Sequence, residues 1–133
     1  MLLTGQSANA GHLRIRVTTP PNSNGAVAYL IFASPTGFPN TKAKAIRSAF
    51  VPEFASALTI DAGELAPGRY AVSVYQDVNG NHKLDSGLFG IPKEPVGASN
   101  NPKPHFGPPR FDECAFQMGE SDQTISITLV QIK

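Results

Sequence analysis

The chain has no tryptophan, one cysteine and few charges. Of its 133 residues only 16% are charged, and the formal net charge is +1. Each shortage excludes something. A single cysteine, Cys114, cannot close an internal disulfide, so the fold rests on its apolar core. Nothing nearby in the sequence would lower its thiol pKa, and it reads as a small buried residue. The near-neutral balance lacks the clustered basic face of a nucleic-acid binder. It also lacks an acidic disordered tail. The longest apolar run, Ala26 to Ala33, has the length of a buried strand and not of a membrane span. No internal repeat is visible, and the length suits one domain with one core.

Glycine and proline are plentiful, at twelve each, and period-two patterning runs between them. Leu13, Ile15 and Val17 alternate with Arg14, Arg16 and Thr18, the signature of a half-buried strand. Pro20 to Gly25 is turn chemistry. Val27 to Phe32 is a nearly continuous β-prone run, expected as a central strand. Pro35 to Asn40 breaks it, and Thr41 to Ile46 suits one helical turn. Phe50-Val51 and Leu58 to Ile60 suggest two short strands. A turn at Leu65-Ala66-Pro67-Gly68 precedes a strand with Tyr70, Val72 and Val74 on one face. Ala115-Phe116 is a weak strand signal; Ile125, Ile127 and Leu129 form a strong one. The expectation is an all-β, seven-stranded β-sandwich, in which each amphipathic strand hides its apolar face against the opposite sheet.

Two stretches stand outside this pattern. Residues 1–11 read as a flexible tail or the remnant of an export signal, because Ala8-Asn9-Ala10 has the small-x-small form of a signal-peptidase site. The domain proper spans 12–133. Within it, residues 78–109 show almost no strand signal, and about thirty structureless residues are unusual in a compact domain. Phe89, Ile91, Phe106 and Phe111 mark this segment as an ordered lid lying on the sandwich.

The lid opens with Asp77-Val78-Asn79-Gly80-Asn81-His82-Lys83-Leu84-Asp85. Calcium takes six to eight oxygens, and a short loop can deliver them from alternate positions. Asp77, Asn79 and Asn81 match the first three ligand positions, Lys83 would offer its backbone carbonyl, and Asp85 matches the ninth. His82 stands where such loops turn sharply on glycine, and Leu88 where they place a bidentate glutamate. Glu94 could fold back as the missing carboxylate. So few charges imply weak calcium binding, on the order of 10⁻⁴ to 10⁻³ M. An ion-free turn, rich in Asp and Asn that bond their own backbone, is the alternative.

These blocks resemble a bacterial family, the domain-of-unknown-function family 2141. Asp77 to Asp85 resembles its D-x-N-x-N-G-K-L-D signature. Gly90-Ile91-Pro92-Lys93-Glu94-Pro95-Val96-Gly97-Ala98-Ser99-Asn100 resembles its G-I-P-x-E-x-x-G-x-S-N block. Pro108 to Phe111 and Leu65 to Tyr70 resemble its P-x-F and L-x-P-G-x-Y elements. The resemblance covers residues 12–132. It implies an immunoglobulin-like or transthyretin-like β-sandwich in a periplasmic or secreted protein, and it implies no activity.

No nucleophile elbow, phosphate-binding glycine loop or zinc spacing is present. The chemistry-bearing side chains His82, His105, Asp112, Glu113 and Cys114 would make an enzyme only if the fold gathered them. No catalytic residue is expected. The lid also carries Ser99, Asn100, Phe106, Arg110 and Phe111, a polar, aromatic and arginine mixture suited to binding a protein, peptide or carbohydrate partner. The functional expectation is a non-enzymatic, exported binding module of the cell envelope with a calcium-ordered loop. A purely structural envelope domain is the alternative.

Overall fold

Alternation in the first strand sets one wall of the molecule. Leu13, Ile15 and Val17 of β1 (Gly11–Thr18) are fully buried, while Arg16 and Thr18 are exposed. The structure is a computed structural model and describes residues 10–21, 25–52, 57–77, 94–103 and 107–131. The other strands are β2 (Ala26–Phe32), β3 (Arg47–Val51), β4 (Ala57–Leu65), β5 (Gly68–Asp77), β6 (Val96–Ala98), β7 (Phe116–Met118) and β8 (Gln123–Thr128). A 3-10 turn at Lys42–Lys44 and a single helical turn, α1 (Phe111–Cys114), complete the elements. Among the described residues no helix is long and apolar enough to cross a membrane.

The strands form two sheets. One has the order β4-β1-β8, with β1 antiparallel to β4 and parallel to β8. The other has the order β3-β2-β5-β6, and β7 pairs with the start of β5. The two sheets face each other over one core. Leu13, Ile15, Val17, Ile60, Leu65 and Ile127 come from the smaller sheet, and Val27, Tyr29, Ile31, Val72 and Val74 from the larger. The expected all-β class holds, but the described residues form eight strands instead of seven. The extra strand, β6, lies inside the segment expected to be structureless. Three residues between Pro95 and Ser99 carry too little period to be visible as a strand.

Sequence also understated β4. A bulge falls where the register with β1 shifts between Leu13 and Arg14, and Gly63 takes the left-handed conformation there with φ 88°. One inserted residue reverses the parity. Ile60 and Ala62 therefore point inward before the bulge and Leu65 after it, which hides a nine-residue strand from a period-two reading.

Unlike the smaller sheet, the larger sheet is buried on both faces. All seven residues of β2 are buried. A second cluster of Leu30, Phe32, Ala71, Ala98, Phe111 and Cys114 covers its outer side. Phe38 meets Phe32 and Phe111 edge to face, with ring centroids 5.3 and 6.0 Å apart.

The passage from β4 to β5 crosses between the sheets through Ala66-Pro67. Tyr70 bends back and donates its hydroxyl to the Ala66 carbonyl at 2.7 Å. This bond fixes the corner at which the chain changes sheets. Tyr70→Phe should therefore lower stability by about 1 kcal/mol, the usual net worth of one such bond. A urea titration with unchanged slope and a lower midpoint would show it; an unchanged midpoint would mean that packing alone holds the corner.

Candidate functional site

β5 carries the site, because its two faces meet different surroundings. Tyr70, Val72 and Val74 point into the core, and strand alternation continues that face to Gln76. Ala71, Ser73, Tyr75 and Asp77 point to the outer side. β6 runs antiparallel beside it, pairing Ser73 with Ala98, Val74 with Gly97 and Tyr75 with Val96. The pairing extends one step further, since the Gln76 N–H donates to the Pro95 carbonyl at 3.0 Å. The next pair in that register is Asp77 with Glu94.

Both carboxylates lie near enough to Tyr75 to act on its phenol, and the register carries them toward each other. Both residues are buried, Asp77 at 1% and Glu94 at 5% exposure. Burial, and then the nearby charges of Asp77 and Glu94, push the Tyr75 phenol above its ordinary value of 10.0. The sequence named Asp77 as the first ion ligand and Glu94 as a distant one. The fold sets both near Tyr75, at the two ends of the undescribed stretch 78–93. Asn79, Asn81, Lys83 and Asp85 lie outside the described residues, as do Phe106, His82 and His105.

Gln76 is the residue that sequence reasoning passed over. It is 0% exposed, and among the described residues neither its Nε2 nor its Oε1 has a hydrogen-bond partner. The signal was present: a glutamine continues the inward series Tyr70, Val72, Val74. A buried amide without partners costs about 1–3 kcal/mol. Gln76→Met keeps the volume and removes the cost, so it should raise the denaturation midpoint. A drop would mean that the amide is satisfied in solution, for instance by an ordered water.

The residues expected to contact a partner divide into two groups. Ser99 is 1% exposed. Its Oγ accepts from the Val72 N–H at 2.9 Å and donates to the Cys114 carbonyl at 2.6 Å. Asn100, at φ 66°, donates from Nδ2 to the Ala115 carbonyl at 2.9 Å and to that of Glu113 at 3.3 Å. Phe111 is 5% exposed, packed on Phe38, with the Arg69 guanidinium 5.3 Å from its ring centroid. Ser99 and Phe111 are buried and Asn100 is exposed, and all three fasten β6 and α1 to β5. The reason is that short hydroxyl and amide side chains readily satisfy backbone groups where strands stop.

Arg110 is exposed. Its backbone N–H donates to the Glu113 carboxylate at 2.8 Å, starting α1. With Pro35, Phe38, Pro108, Pro109 and Phe111 it lines an open groove of about 480 Å³.

Of the groups weighed for nucleophilic chemistry, His82 and His105 lie outside the described residues, and Asp112, Glu113 and Cys114 follow one another on α1. Asp112 lies 3.6 Å from Arg69 at the surface. His12 Nε2 meets Asp61 Oδ1 at 2.8 Å at the far side, on β1 and β4. Burial, with a smaller effect of Glu113, pushes the Cys114 thiol up to about 12 from 9.0. The thiol should therefore stay neutral at pH 8 and resist iodoacetamide until the protein unfolds. Fast alkylation of the native protein, read by mass spectrometry, would contradict this burial.

The geometry defines a two-layer all-β domain whose longest central strand ends in a carboxylate pair. The family model described as "Uncharacterized protein conserved in bacteria (DUF2141)" matches residues 15–126, and the chain belongs to that family. A search of curated proteins found no match. A search of solved structures found none either.

Proposed function

We propose that this protein is a non-enzymatic, exported binding module of the bacterial cell envelope, with a loop between Asp77 and Glu94 that calcium orders. The observation that carries the reading is the cross-strand pair itself. Ionised carboxylates directly opposite each other repel. A divalent cation between them converts the repulsion into ligation, and hard carboxylate oxygens are what calcium takes. Asn79, Asn81, the Lys83 carbonyl and Asp85 join the ligand set on their sequence spacing. The ion's part is to hold the loop, and the partner surface of this reading is the groove beside Arg110.

An immunoglobulin-like arrangement is the fold reading that accompanies it. Its support is the Tyr70 hydroxyl bonded four residues back at a sheet-to-sheet corner, a hallmark of such sandwiches. The high thiol pKa of Cys114 supports the non-enzymatic part, because a neutral thiol is a poor nucleophile. Export rests on Ala8-Asn9-Ala10.

Thermal unfolding of chelator-stripped protein, titrated separately with calcium and magnesium, tests the reading. A ligand that binds only the native state raises the midpoint once its free concentration exceeds its dissociation constant. The expected result is a calcium-selective rise that Asp77→Asn and Glu94→Gln each diminish. No rise at millimolar calcium would leave an ion-free turn and a purely structural envelope domain.

A further inference from the structure

On the outer side of the larger sheet, the covering cluster of Phe38, Ala98, Phe111 and Cys114 packs on Leu30, Phe32 and Ala71. Ala28, two residues before Leu30, lies beyond it. Here the sheet carries a cavity of about 120 Å³, whose lining includes Ala28, Leu30, Lys42, Ser48, Phe50 and Tyr75. Strand register explains the hollow. Ala28 pairs with Phe50 of β3 on one side and with Tyr75 of β5 on the other. Val27 and Tyr29 take the core face, so Phe50, Ala28 and Tyr75 form one outward row. Two half-buried aromatic residues thus flank a methyl floor.

The spacing of the walls sets the shape of what fits. Strands lie about 4.8 Å apart and side chains stand upright on them, so the two aromatic side chains rise about 9.6 Å apart. A flat ring between them needs two contacts of about 3.5–4.0 Å, some 7–8 Å in all. A puckered, saturated ring is thicker and takes up the remainder. One row along, Leu30 pairs with Ser48, which sets a hydroxyl-bearing residue beside the slot. Lys42, on the 3-10 turn, is exposed and has no ion pair among the described residues.

Charge narrows the chemistry. The Lys42 ammonium disfavours a cation. Asp77 lies on the same outer side two residues beyond Tyr75, and its charge and that of Glu94 reach the phenol, a field that disfavours an anion. A purely hydrocarbon ring would cover the Ser48 hydroxyl without bonding it. A neutral, saturated ring bearing hydroxyls meets all three conditions. Its C–H faces suit the aromatic walls, and its hydroxyls suit Lys42 and Ser48. We infer that the slot between Phe50 and Tyr75 binds one sugar ring of a carbohydrate. A cavity of about 150 Å³ takes one six-membered ring, so about 120 Å³ with an open mouth is a one-ring site. It is separate from the groove beside Arg110 and needs no calcium.

The test is a titration of the isotope-labelled protein with methyl glucoside, methyl galactoside and N-acetylglucosamine, each to tens of millimolar, followed by amide NMR. Chelator is present throughout, so the outcome is independent of the calcium reading. At least one sugar should shift the Ala28, Ser48, Phe50 and Tyr75 amides, with a dissociation constant on the order of 10⁻³ M, the range for so small a ligand. Phe50→Ala, on the outermost strand of its sheet, should weaken binding about tenfold by removing one wall. Lys42→Ala, a surface change that leaves the fold alone, should weaken it about threefold. No shift with any of the three sugars overturns the inference, as do shifts confined to the groove beside Arg110. Unchanged affinity in Lys42→Ala overturns it too, whether or not Phe50→Ala folds. Benzoate is titrated in the same way. If it shifts the slot amides at lower concentration than every sugar, the ligand is an aromatic acid and the inference fails.

Discussion

A strand that is apolar on both faces cannot lie at a solvated surface, and β2 is such a strand. Its seven residues are buried, three of them facing the smaller sheet and the others turned to the outer side or to the strand ends. Covering that outer side is the constraint from which the rest follows. Phe38, Phe111, Ala98 and Cys114 all lie against Leu30, Phe32 and Ala71, and the segments bearing them must lie flat on the larger sheet. Once residues 94–103 and 107–115 are held there, β6 falls beside β5, and Glu94 comes near the end of β5 that carries Asp77. The carboxylate pair is thus a consequence of burying Phe32 and its neighbours.

Polar side chains complete what apolar packing begins. Burying each unpaired backbone group would be costly, and the covering segments contain little regular structure of their own. Ser99 and Asn100 supply the bonds to Val72, Cys114 and Ala115. Ser73 donates to the Pro39 carbonyl at 2.6 Å and ties the other covering segment to the sheet. At the side of the molecule where β3 approaches β4, the Arg47 guanidinium donates to the Ala62 and Glu64 carbonyls at 2.6 and 2.8 Å, around the Gly63 bulge. Asn101 serves β8 in the same manner. Both edges of the smaller sheet are therefore met by side-chain donors, and one arginine and one asparagine link it to the larger sheet. Gln76 is the exception, a core-facing amide with no partner among the described residues, one residue before Asp77.

The sites suggested for partner contact illustrate how the same residue types serve two ends. Serine, asparagine and phenylalanine are as useful for fastening a covering segment as for recognising a ligand. Burial decides between them, and Ser99 and Phe111 fall to fastening. Arg110 and the prolines beside it remain at the surface, where the groove gives them a wall to share with Pro35 and Phe38.

The sequence by itself determined the all-β class, the single core, the run of β2 and the inward faces of β1, β5 and β8. Each of these depends on period and composition, which are local. It also marked Asp77 as special, through spacing alone. The tertiary structure decided what is non-local. β6 is a strand only because β5 lies beside it, and β4 keeps its length only because a bulge on Gly63 resets its faces against β1. Whether Ser99 faces solvent or a backbone depends on a helical turn fifteen residues away. The distance between Asp77 and Glu94 is set by a strand register, and a register is a property of two chain segments brought together by a core that neither of them contains alone.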